Sequence, residues 1–186
     1  MPWSSSPASH HSETFLNRSD DYLSIGSQTR WFGVSRICCR FSFVNVLVTY
    51  SSRSGNTERA AEYIGGEFAS RGHDVLVRPW DGLDFAEVSA ADLVCVGTWV
   101  HGLFVIGQHA ADTDRLAKMP MLWDKPVAAF MTYALNAGRA IDDMAEFLER
   151  RLGANVIAGQ SMRARDTAKL APGFVEDVLA RIKVKA

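Results

Sequence analysis

The chain has 186 residues, 47% of them hydrophobic and 22% charged, with a formal net charge of −1. That length suits one globular domain with a sizeable core plus an appendage. The near-neutral balance offers nothing to a nucleic-acid backbone or an anionic membrane surface, so neither is expected as a partner.

Residues 1–42 differ in composition from the rest. Ser, His, Arg, Asn and Asp dominate, and Trp3, Phe15, Trp31 and Phe32 recur at no helical or strand period. The stretch lacks the apolar core of a secretory signal, and Glu13, Asp20 and Asp21 argue against a transit peptide. It is expected to be a disordered N-terminal extension, or sequence upstream of a start near Val44. Of the three cysteines, Cys38 and Cys39 fall in this stretch as accessible thiols, and Cys95 sits in an apolar run. None has zinc-type spacing, no metal site is expected, and a reducing cytoplasm is the expected compartment.

The folded domain is expected over 43–186. Residues 43–50 form a β-branched apolar run, as a strand buried on both faces requires. Residues 56–70 follow as a helix with Ala60, Ala61, Ile64 and Phe68 on one face, closed near Gly72. Residues 74–79 make a second strand, placed near the sheet edge by Arg78 and by the turn from Pro79 to Gly82. A short helix over 84–89 leads to a third buried strand over 91–97. The apolar stretch 93–107 is too short to span a membrane and contains His101. Residues 108–118 are expected to be helical, and 125–132 give a fourth strand. The next helix turns Ile141, Met144, Phe147, Leu148 and Leu152 inward and ends at Gly153. Residues 154–161 supply a fifth strand. Pro172 is expected to open a last helix with Phe174, Val178, Leu179 and Ile182 inward.

Strands alternating with helices imply a doubly wound α/β fold, a parallel sheet with helices on both faces. In such sheets ligands bind at the carboxyl ends of the strands. The loop after the first strand is the informative one: Ser52, Arg53, Ser54, Gly55, Asn56 and Thr57, preceded by Tyr50 and Ser51. Small hydroxyl residues and a Gly stand where a strand hands over to a helix, and such a turn directs backbone N–H groups and the positive helix end outward. A Walker loop is excluded because no Gly-Lys occurs, and the dinucleotide fingerprint because the turn holds only Gly55. An ordinary N-cap by Ser54 or Asn56 would use fewer hydroxyls.

The loop resembles the flavodoxin phosphate loop, with its Ser/Thr-x-Thr-Gly-x-Thr pattern. The resemblance covers residues 43–186 and implies a five-stranded sheet of order 2-1-3-4-5 with FMN as cofactor. It also implies that the hydroxyls and amides hold the FMN phosphate largely without basic side chains. Arg53 is then either a solvated bystander or a charge-assisted contact. The loop after the third strand, with Thr98, Trp99, Val100, His101 and Gly102, corresponds to the loop lining the inner face of the flavin ring. Gly102 matches the glycine whose peptide turns over toward the flavin N5, a turn that glycine tolerates. His101 either raises the flavin potential by its charge or points to solvent. In the first case His101→Ala lowers the midpoint potential at mildly acid pH. The loop after the fourth strand, with Thr132, Tyr133, Ala134, Leu135 and Asn136, corresponds to the outer-face loop. Tyr133 is there as a stacking residue or as packing at a strand end. Leu135 stands where many flavodoxins carry an outer aromatic. The insertion of long-chain flavodoxins is missing.

FMN carries the chemistry in such a protein. The resemblance implies a redox protein passing electrons through a non-covalent flavin to a partner protein or a small-molecule acceptor. An FMN-dependent NAD(P)H:quinone or flavin reductase, or a porphyrinogen-oxidase-like enzyme, is the alternative. The near-neutral charge, unlike the acidity of carrier flavodoxins, and Leu135 lean toward that alternative. A non-enzymatic anion-binding module is the third reading. No catalytic triad or paired-carboxylate motif is present to assign.

Overall fold

The structure, a computed structural model, describes residues 24–25, 28–31, 43–101 and 109–185. Five parallel strands form its centre: β3 (Asn45–Tyr50), β4 (Asp74–Pro79), β5 (Leu93–His101), β7 (Pro126–Tyr133) and β8 (Asn155–Arg163). Their order is β4-β3-β5-β7-β8, which is 2-1-3-4-5 when these five are counted alone. Parallel neighbours need crossovers, and helices supply them: α1 (Asn56–Ser70), α2 (Phe85–Ala90), α3 (Thr113–Leu116), α4 (Ala140–Leu152) and α5 (Thr167–Lys185). The β7–β8 register shifts at Val127 and Ala128, a local bulge.

The pleat sends alternate residues to opposite faces, and each face has its own core. Val46, Val48, Val75, Cys95 and Phe130 pack under α1 and α5, where Ile64, Phe68, Phe174 and Val178 come down on them. Leu47, Val94, Val96, Ala129 and Met131 face the other way, against Val88 of α2, Leu116 of α3 and Met144, Leu148 and Leu152 of α4. Burial of each such large side chain stabilises by about 1.5–3 kcal/mol, and these rows fix the register. The inward rows expected for α1, α4 and α5 all contact one of these two clusters.

Four features differ from the sequence expectations or add to them. Within the stretch read as an N-terminal extension, β1 (Ser24–Ile25) and β2 (Gln28–Trp31) form an antiparallel pair, and β2 pairs antiparallel with β4. β4 is thus the last strand of the parallel block with its outer edge covered, a common way of blunting an exposed edge. The rest of 1–42, with Cys38 and Cys39, lies outside the described residues.

Only Thr113–Leu116 of the expected 108–118 helix is helical. His109 and Ala110 instead form β6, which folds back antiparallel on His101 and Val100, and Asp112 takes a left-handed φ of 56° that no continuous helix allows. The last helix begins at Thr167 rather than at Pro172, because the amides of Lys169 and Leu170 both bond to the Asp166 carbonyl and set the first turn there. Pro172 sits inside the helix, where its missing N–H leaves one ladder bond unmade. Fourth, α2 is held by a capping box, Asp84 accepting from the Glu87 amide at 2.9 Å while Glu87 accepts from the Asp84 amide at 3.0 Å.

Candidate functional site

The carboxyl end of β3 is pinned between its neighbours. The Ser51 amide donates to the Gly97 carbonyl of β5 at 2.9 Å, and the Trp80 amide donates to the Tyr50 carbonyl at 2.9 Å. From there residues 52–55 turn the chain into α1. Gly55 is the N-cap with φ 79°, and no side chain caps the helix. That φ is costly for a side-chain-bearing residue, and a Cβ at Gly55 would meet nothing within 4 Å, so the conformation, not crowding, requires glycine.

The ordinary N-cap that Ser54 or Asn56 could have made, the alternative to an anion site, is not formed. Their side chains bond each other at 3.2 Å, and Asn56 Oδ1 accepts from Arg59 at 3.0 Å. The first turn of α1 therefore presents amides that no side chain among the described residues satisfies, with the helix dipole behind them. Ser52 Oγ is buried with no partner among the described residues. A buried hydroxyl without a partner costs about 1–3 kcal/mol, which an incoming acceptor would recover. Arg53 and Ser54 are exposed, and Gly55 and Asn56 are half-buried.

Thr57 turns inward. Its Oγ1 lies 2.8 Å from Thr132 Oγ1, and both residues are almost fully buried. This contact ties the first loop to the end of β7, and the Ser51–Gly97 bond ties it to the middle of β5. Three loops expected from the sequence to cooperate are thereby joined.

The residues expected to form the second loop do not: 97–101 continue β5, which pairs with β7 through Trp99 and with β6 at Val100 and His101. Within it Gly97 has no room for a side chain, since a Cβ would stand 2.0 Å from Phe130 Cζ. Thr98, buried, donates from Oγ1 to the Ala111 carbonyl at 3.1 Å, and the Ala111 amide donates to the Trp99 carbonyl at 3.0 Å. Trp99 and Val100 are half-buried. His101 pairs through its backbone with His109. The orientation of the His101 side chain, and Gly102 with its expected peptide turn, lie outside what is described. In the third loop Tyr133 is half-buried, its carbonyl accepting from the Ala164 amide at 2.9 Å. Ala134, Leu135 and Asn136 are exposed, Leu135 at 61%. Asn136 Oδ1 accepts from the Gly138 amide at 3.1 Å, an Asx-type turn that shapes the loop tip.

Sequence reasoning missed a charged strut beneath the first loop. Ser51 Oγ donates to Asp112 Oδ2 at 2.7 Å. Asp112 also faces Arg115, at 3.4 Å, and Arg115 pairs with Asp81 in the turn after β4. Tyr50, the last residue of β3, donates from its hydroxyl to Glu58 Oε1 on α1 at 2.9 Å. Burial first, and then this bond, push the phenol well above its usual range. Nothing local in the sequence signals Asp112, which is 61 positions from its partner.

A separate cleft of about 390 Å³ lies at the amino ends of β3 and β4, lined by Asn45, Leu47, Asp74, Leu76 and Glu87 among others. Among the described residues, no group of three or more His, Cys, Asp or Glu is placed to hold a metal, and no helix is long and apolar enough to cross a membrane.

The sheet order and the site at its carboxyl edge define a flavodoxin-like α/β protein. The sequence matches the family model for a flavodoxin domain over residues 47–156, more than half the chain, and the protein belongs to that family. The family's cofactor is FMN. Among solved structures it is similar to two-electron-reduced Megasphaera elsdenii flavodoxin, with 22% identity and a TM-score of 0.60 over 73% of this chain and 98% of that one. The flavodoxin of Streptococcus pneumoniae TIGR4 gives 21% identity and a TM-score of 0.57 over 74% and 99%. The flavodiiron core of Synechocystis Flv1 gives 17% and 0.54, over 76% of this chain but 36% of that one. These likenesses show the fold. No curated protein matches the sequence.

The residues present fit the phosphate end of FMN. An uncapped helix start, an unpartnered buried Ser52 hydroxyl and an open Gly55 are what a phosphate needs, and the acid in the first turn, Glu58, accepts the Tyr50 hydroxyl.

Proposed function

We propose that this chain is an electron-transfer flavoprotein that binds FMN non-covalently at the loops after β3, β5 and β7 and passes electrons to a redox partner. The observation that carries this reading is the unpartnered Ser52 hydroxyl beside the uncapped start of α1. FMN, when bound, supplies the one- and two-electron chemistry. The chain supplies binding and orientation. The hydroxyls of Ser52 and Ser54 and the amides from Gly55 to Thr57 hold the phosphate, with Arg53 free to add charge from solvent. Trp99 and Val100 near the end of β5 flank one side of the ring system, and Tyr133, Ala134, Leu135 and Asn136 the other, with Thr98 and Thr132 buried behind them. A visible absorption spectrum of the purified protein, with the chromophore identified after heat release, tests this. FMN in near-stoichiometric amount is expected. A colourless protein that takes up no added FMN would refute it and leave the loop as an anion site for something else.

The exposure of Leu135 favours a second reading, a small-molecule reductase of the quinone, flavin or porphyrinogen type, because an open outer face leaves room for a substrate to stack. The two readings separate on electron supply. Stoichiometric NAD(P)H consumption with a quinone and no other protein supports the enzyme. Reduction only through a partner reductase supports the carrier.

A further inference from the structure

We infer that Asp112 is a positioning residue for the phosphate loop, acting through Ser51; this rests on the FMN reading above. Ser51 immediately precedes the loop and is held at two points. Its amide donates to Gly97 at 2.9 Å and its hydroxyl donates to Asp112 at 2.7 Å, and at 6% exposure water does not compete for either bond. The amide bond fixes the height of Ser51 along the sheet. The hydroxyl bond fixes its rotation, and with it the direction in which Ser52 and the following amides face. A bond to an ionised acceptor is stronger than a neutral one, so this hold is stiff.

Asp112 is itself placed with care. It is one of three non-glycine residues with positive φ in the described chain, at 56°, a conformation tolerated by Asp but not favoured. Held there, it receives Arg115, whose guanidinium also pairs with Asp81. The strut therefore joins the turns after β4 and β6 to the residue under the phosphate loop. Arg115 also offsets part of the negative charge that Asp112 would otherwise set below an anion site. Asp112 acts from beneath the loop, through Ser51, and is not a catalytic residue.

The test compares FMN with riboflavin, which lacks the phosphate. Dissociation constants for both are measured by flavin fluorescence quenching on the full chain and on Ser51→Ala, Asp112→Gly, Asp112→Asn and the Ser51→Ala/Asp112→Gly double variant. Glycine suits the left-handed backbone, so Asp112→Gly removes the carboxylate and keeps that conformation. FMN affinity is expected to fall about tenfold in Ser51→Ala and in Asp112→Gly, scaled to a charge-assisted hydrogen bond, and no further in the double variant. Riboflavin affinity should hold in all of them. Asp112→Asn, whose amide oxygen still accepts, should stay within about threefold of the parent for FMN. Unchanged FMN affinity in Asp112→Gly, or equal loss for the two flavins, overturns the positioning role. A parent chain that binds no FMN overturns the cofactor reading itself, and the role with it.

Discussion

Gly97→Ala is the sharpest perturbation of the fold that positions the site. The added Cβ would lie 2.0, 2.2 and 2.6 Å from Phe130 Cζ, Cε2 and Cε1. Carbon atoms in contact prefer about 3.5–4.0 Å, so the ring would have to retreat by roughly 1.5 Å. It has nowhere to go, because Phe130 is 0% exposed and Phe174 stands edge-on at 6.4 Å between centroids. Overpacking a tight core costs about 1–3 kcal/mol, and three simultaneous overlaps on a confined ring place this variant near about 3 kcal/mol. A chain of this size should then melt about 6–12 °C lower. Urea unfolding followed by far-UV circular dichroism gives the free energy directly. The cause is checked by Phe130→Leu in the same chain. Leucine lacks the ring atoms that collide, so Gly97→Ala/Phe130→Leu should be more stable than Gly97→Ala alone by about 1 kcal/mol or more, despite the smaller core residue. Destabilisation by Gly97→Ala under about 0.5 kcal/mol, the range of neutral surface changes, would refute the packing argument. So would a double variant no better than the single one.

Three further outcomes are expected. Thr132→Val removes one member of the buried hydroxyl pair and leaves Thr57 unsatisfied, at a cost of about 1–3 kcal/mol, whereas Thr57→Val/Thr132→Val removes both groups and should cost less than the sum of the singles; an additive double variant in urea titration would count against the pair. Tyr50 has a raised phenol pKa through burial and the bond to Glu58, so its stabilising effect is full below the ordinary tyrosine pKa near 10 and is lost as pH rises above it. The loss of stability between about pH 9 and 11 should accordingly be shallower in Tyr50→Phe than in the parent, and parallel curves would show that Tyr50 ionises as freely in the fold as outside it. Asp84→Ala removes the N-cap of α2 and should destabilise by about 1 kcal/mol in the same titration, a change near zero meaning that α2 is held by Val88 and the Arg78–Glu87 pair alone.

The parts of this fold that were legible in the sequence are those encoded locally. The β-branched run before Tyr50, the 3.6-residue spacing of Ala60, Ala61, Ile64 and Phe68, and the glycine after Leu152 each act within a few residues of themselves. The hydroxyl-rich stretch from Ser52 to Thr57 was visible for the same reason. Contacts that depend on register were not visible. Thr57 meets Thr132 across 75 positions and Ser51 meets Asp112 across 61, and both pairings follow from which strand ends lie side by side. Residues 108–118 read as a helix because composition cannot announce that Ala110 will pair with Val100 or that Asp112 will turn left-handed. Proline misled at 172 because the rule that places it in a first turn says nothing when a helix starts five residues earlier. β2, from Gln28 to Trp31, alternates no apolar face, so only its pairing with Val75, Leu76 and Val77 identifies it as a strand.

The two ends of the sheet carry different chemistry, and charge rather than volume decides which one takes an anion. The 390 Å³ cleft at the amino ends lies between the starts of β3 and β4, at Asn45 and Asp74, and Ala86, Glu87 and Ala90 of the six-residue α2. Its polar lining is acidic, with Asp74 and Glu87, and the nearby Arg78 is committed to Glu87 and to the Gly82 carbonyl. A phosphate would meet carboxylates there. At the carboxyl ends the first loop offers amides, hydroxyls and the positive end of the 15-residue α1, and it sets its nearest carboxylates in bonds of their own, Glu58 with Tyr50 and Asp112 with Ser51 and Arg115. In the proposed phosphate site those bonds would matter as much as the donors do. A carboxylate free to swing toward the loop would repel the phosphate by about 1 kcal/mol or more at contact distance, whereas one locked beneath it orients the donors. The same two acids that a census of charge would count against an anion site are thus part of what shapes it.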